Sequence, residues 1–116
     1  MKNIATESCL ALSNRIQAIH CLFGSDERLL YFLFHHKKAE LRELPRELIK
    51  EARHFSNEEF LLIRAAIDIW CSRGGNTKFC DILNILNDTN LLRLLAAVAK
   101  TRGLLELEEI LACYTL

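Results

Sequence analysis

The chain of 116 residues carries 15 basic and 15 acidic side chains, leaving no formal charge with histidine neutral, and 51% of it is hydrophobic. A polypeptide of this length buries roughly 65% of its unfolded surface in one domain, so residues 1–116 read as a single helical domain with a core of its own. Balanced charge argues against nucleic acid, anionic lipid and disorder, and no apolar run approaches the roughly 20 residues that cross a bilayer.

Twenty-two leucines against one valine, with a single proline, favour helix over strand, because unbranched side chains keep their rotamer freedom in a helix. The expected fold class is all-α: a compact bundle of about five to seven helices, with one or two central helices largely buried. In the first segment Ala5, Cys9, Leu12, Ile16, Ile19 and Phe23 recur every three or four residues, the mark of one apolar stripe. Gly24 is the expected stop. Ser25, Asp26 and Glu27 cap a second helix running to about Lys38, where His35, His36, Lys37 and Lys38 suit the negative helix end. The run Tyr31–Phe34 also reads as a strand, but the capping signals favour helix.

Pro45 starts a third helix reaching about His54, with mixed charges on its outer side. Ser56 and Glu59 form a capping box, and from Phe60 to Cys71 the helix that follows leaves only Arg64 and Asp68 charged, so it needs cover on nearly every side. Arg73, Gly74, Gly75 and Asn76 break it. A short helix over about 77–86 is expected to turn Phe79, Ile82, Leu83 and Leu86 inward, and Asn87 and Asp88 cap a last long helix over 89–102 that Gly103 ends. The tail 104–116 fits either a final helix or an extended segment.

Signals for chemistry are sparse. The five cysteines are odd in number and lack the C-x-x-C spacing of zinc or redox motifs, so they read as reduced, buried thiols. His20-Cys21 and His35-His36 are adjacent pairs whose side chains diverge by about 100° on a helix, a poor ligand set for one metal. Gly74-Gly75 lacks the rest of a phosphate loop, and the closing Cys113-Tyr114-Thr115-Leu116 lacks the aliphatic middle of a prenylation box. No catalytic residue, cofactor or metal is expected.

Two largely apolar helices in so short a chain leave apolar surface for a partner to cover. The expected function is a noncatalytic helical protein-interaction module, a small cytoplasmic regulator that forms a homodimer and binds a larger protein. Leu12, Ile16 and Ile19 on the first helix are the expected interface. The alternative is a helix-turn-helix DNA-binding regulator reading DNA through Asn90 and Arg93, although the would-be reading helix is otherwise nearly all Leu and Ala.

Overall fold

A computed structural model describes residues 2–24, 26–35 and 38–104, with side chains described from Leu12 onward. Six α-helices follow one another in this part of the chain: α1 (Lys2–Phe23), α2 (Glu27–Leu33), α3 (Pro45–Glu51), α4 (Asn57–Cys71), α5 (Phe79–Ile85) and α6 (Asp88–Thr101). A 3₁₀ turn, Ala52–His54, extends α3. The described residues contain no strand beyond one isolated antiparallel bridge, between Phe34 and Leu41, so the architecture is an all-α bundle.

The helix boundaries follow from identifiable residues. Asp26 accepts the Leu29 N–H at 3.4 Å as the cap of α2, and Pro45 occupies the first turn of α3, where its missing N–H costs nothing. At α4 both arms of the capping box are made: the Ser56 hydroxyl accepts the Glu59 N–H at 3.1 Å, and Glu59 accepts the Ser56 N–H at 3.4 Å. Asn87 accepts the Asn90 N–H at 2.8 Å to begin α6. That helix ends in a full Schellman motif: Gly103, at φ +72°, donates to Lys100 while Leu104 donates to Ala99.

The second helix departs from the expected course to Lys38. It stops at Leu33, and Phe34 turns extended (φ −113°, ψ 151°). The chain then doubles back, with His35 N–H bonded to Glu40 O and Arg42 N–H to Leu33 O. Phe34 thereby sets its ring edge-on to Trp70, 4.9 Å between centroids. The cation that meets the exposed helix end is Arg42, whose Nε donates to Phe32 O at 3.0 Å and whose Nη2 reaches Glu51 at 2.6 Å. His36 and Lys37 lie outside the described residues.

α4 is the centre of the bundle. Leu61, Leu62, Ile63, Ala65, Ala66 and Ile67 are buried, and each large apolar side chain so enclosed contributes roughly 1.5–3 kcal/mol. α1, α3, α5 and α6 all pack on this helix. α1 also runs the length of α6 in the opposite direction: Gly24 lies against Arg93 near the start of α6, and Asn14 lies against Gly103 just past its end. Ala18, Ile19, Leu22 and Phe23 from α1 meet Leu94 and Ala97 from α6 in the same core as α4.

Beyond α4 the chain is tied back to its own helix. Ser72 (φ +62°) ends α4 in a left-handed turn, and the Asp68 carboxylate then accepts three hydrogen bonds, from Gly75 N–H (2.8 Å), Thr77 N–H (2.9 Å) and the Thr77 hydroxyl (2.6 Å). Arg64 donates to the carbonyls of Gly75 and Asn76. Arg64 and Asp68, the two charges of α4 beyond its first turn, therefore clamp the 72–78 loop. Gly75 is required there, since a Cβ would fall 2.0 Å from Arg64 O and 2.7 Å from Asp68 Oδ2.

Candidate functional site

Leaving that clamp, α5 begins at Phe79 and lasts only two turns. The expectation that Phe79, Ile82, Leu83 and Leu86 all face inward holds for half the set: Ile82 and Leu86 pack on the core, while Phe79 is 73% and Leu83 63% exposed. A helix of seven residues at the rim of the bundle has one face against α4, and no described residue lies over the other.

The helix that follows has the same asymmetry. Leu94, Ala97 and Ala99 of α6 are buried, whereas Leu92, Leu95 and Val98 are exposed. Leu91, Leu94, Leu95 and Val98 recur at helical spacing along one side of α6 and, with Phe79, Ile82 and Leu83 of α5 and Ile69 of α4, line a groove of about 420 Å³. The polar members of its wall are Asp68 and Thr77, and they are bonded to each other. The surface is thus a continuous apolar strip with two protruding side chains, Phe79 and Leu83, on a scaffold whose loop is locked by Asp68.

The residues singled out on α1 are placed differently from one another. Leu12 is 36% exposed, Ile16 is half-buried and Ile19 is 2% exposed, a member of the core. Ile16 and Ile19 line a cavity of about 280 Å³ between α1 and α2, floored by Leu30, Phe34 and Trp70. The side chains of Ala5 and Cys9 lie outside the described residues. An apolar stripe cannot state by itself which part meets the parent core, and here α6 and α4 take Ile19.

Asn90 and Arg93 are both on α6. The Asn90 side-chain amide donates to Glu58 Oε1 at 2.6 Å and is half-buried, and Glu58 also accepts the Asn87 N–H at 2.9 Å. Arg93 is exposed and lies along Gly24. The large apolar side chains that α6 leaves open, Leu92, Leu95 and Val98, offer neither donors nor acceptors to a base edge.

The Gly74-Gly75 loop has no backbone donors to spare for a phosphate at Gly75 and Thr77, because the Asp68 carboxylate holds both. Partial burial works against that carboxylate's charge, but the Thr77 and Gly75 hydrogen bonds and the nearby Arg64 outweigh it and hold the acid below the usual aspartate range. Cys71 is shifted in the unreactive direction: burial pushes its thiol up, opposed by Arg15 and Arg73. Among the described residues no group of three His, Cys, Asp or Glu side chains is placed to hold a metal ion, and no helix is long and apolar enough to cross a membrane. Cys113 and the tail 105–116 lie outside the described residues.

Compared with protein-family models, curated proteins and solved structures, the chain finds no match. The sequence signal for the open face of α6 is the near absence of polar residues over 91–99, a pattern that a buried helix shares.

Proposed function

We propose that this protein is a noncatalytic helical interaction module, a small cytoplasmic regulator that binds a second copy of itself and a larger protein through the α5–α6 face. The supporting observation is the exposure of Phe79 and Leu83 beside an apolar groove that no described residue fills. Large aromatic and aliphatic side chains standing out from a rigid apolar surface are the anchors of protein interfaces, and leaving them in water is unfavourable by roughly 25 cal/mol per Å² of apolar area. In this reading Phe79 and Leu83 insert into a pocket of the partner while the groove receives an apolar side chain in return. The larger partner is regulated by having its normal contact displaced, and no covalent step is involved.

Light scattering of the full chain over a range of concentrations tests this. The wild type is expected to rise from the mass of one chain toward two, and the double variant Phe79→Ser/Leu83→Ser to stay at one, with the unfolding midpoint that the wild type has when dilute enough to be a single chain, since both side chains are exposed. A wild type that keeps the mass of one chain throughout, or a double variant that associates equally well, contradicts the reading.

A further inference from the structure

Between the α3–3₁₀ segment and the first half of α4 lies a cleft of about 520 Å³ lined by Ile49, Arg53, Asn57, Phe60, Arg64 and Asn76. It shares no lining residue with the α5–α6 groove. Asn57, Phe60 and Arg64 follow at i, i+3 and i+7 along one face of α4, opposite Ile49 and Arg53, which are four residues apart. The lining contains two guanidinium groups and two carboxamides but no carboxylate.

The acidic groups nearby are committed elsewhere. Glu51 pairs with Arg42, Glu58 accepts from Asn87 and Asn90, Glu59 serves the Ser56 cap and Arg28, and Asp68 holds Gly75 and Thr77. The Arg53 side chain makes no hydrogen bond or ion pair with any described residue. Arg64 gives Nε and Nη2 to neutral carbonyls, which fix its plane over the Phe60 ring at 5.5 Å and leave Nη1 unspent. One guanidinium is thus held in place, a second lines the same cleft, and neither makes a salt bridge with a described residue.

We propose that this cleft binds a small organic phosphate monoester, with the phosphate between Arg53 and Arg64 and an apolar or planar body against Phe60 and Ile49. Arg53 and Arg64, the latter partly offset by the nearby Asp68 charge and neither in a salt bridge with a described residue, attract a group carrying about 1.5 to 2 negative charges, and the guanidinium fork fits its oxygens in pairs. The Asn57 and Asn76 amides add donors. The volume lies within the range of small-molecule sites and exceeds what a bare phosphate fills, hence the attached body.

Amide and guanidinium NMR of the ¹⁵N-labelled full chain tests the assignment, with phenyl phosphate, inorganic phosphate and phenol as probes. Phenyl phosphate is expected to shift the Asn57 and Asn76 side-chain amides and the Arg64 Nε–H saturably, inorganic phosphate to bind at least about tenfold more weakly, and phenol not to saturate. Arg53→Gln removes a side chain that supports nothing else, and Asn57→Asp puts a carboxylate in the cleft at a helix start that favours negative charge, so both variants fold. Each is expected to weaken phenyl phosphate at least about tenfold. Shifts that do not saturate, that spread over other basic surface, or that persist unchanged in both variants would mean an adventitious ion only and overturn the proposal. Equal affinity for phenyl phosphate and inorganic phosphate would overturn the role given to Phe60 and Ile49.

Discussion

Replacing Asp68 by asparagine removes charge from the clamp while keeping its shape. Asparagine retains Oδ1 for the Gly75 N–H but points an amide at Thr77, where the carboxylate accepts from both N–H (2.9 Å) and hydroxyl (2.6 Å). A hydrogen bond to a charged group contributes roughly 1.5–3 kcal/mol, and the partial exposure of Asp68 brings the pair toward the lower end, so the expected loss is about 2 kcal/mol. At about 4 °C per kcal/mol for a chain of this size, the melting temperature falls by roughly 8 °C. The loss is pH-dependent with a defined sign. Because the folded-state pKa is lowered, the stability this carboxylate supplies is fully present above the ordinary aspartate value of about 4 and disappears as pH falls through the lower folded value. Urea unfolding followed by the fluorescence of Trp70, the single tryptophan, gives the comparison at pH 7, 5 and 3. The wild type should exceed Asp68→Asn by the full margin at pH 7 and pH 5, and the margin should narrow at pH 3. Equal stabilities at pH 7, or a margin that stays constant into acid, would refute the clamp.

Two further substitutions probe the scaffold. Gly75→Ala drives a methyl group into Arg64 O and Asp68, so it should lower stability by about 3 kcal/mol, the upper range for overpacking, measured by thermal circular dichroism. Arg42→Ala removes the donor at Phe32 O, the Glu51 ion pair and the stacking over Phe32; a loss of about 1–2 kcal/mol in chemical denaturation is expected, and Arg42→Lys should recover only part, because an ammonium lacks the planar fork.

How much of this was legible in the sequence depended on whether the deciding interaction was local. The starts of α3, α4 and α6 and the stops after α1 and α6 were readable, because Pro45, the Ser56–Glu59 pair, Asn87, Gly24 and Gly103 act on backbone groups within a turn. The end of α2 was not, because Phe34 leaves the helix to meet Trp70 and Leu41, contacts 36 and 7 residues away, and Arg42 takes the role assigned to His35 and its neighbours. The excess of apolar side chain was visible in the composition, yet its place was not: periodicity marks a stripe on α1 and on α6 alike, and packing alone decides that Ile19 is enclosed while Leu95 and Val98 stay open. The sequence marks Arg64 and Asp68 as the charges left on a largely covered helix, but nothing local reveals that a loop folds back to them.

The proposed self-association through α5 and α6 covers one face of the protein and leaves α1 open. Amide shifts of the ¹⁵N-labelled full chain, followed as its concentration is raised, read that directly. Shifts gathered on α5 and α6, at Phe79, Leu83, Leu92, Leu95 and Val98, are the predicted result. Shifts centred instead on Leu12 and Ile16 of α1, or none across the range, would contradict it.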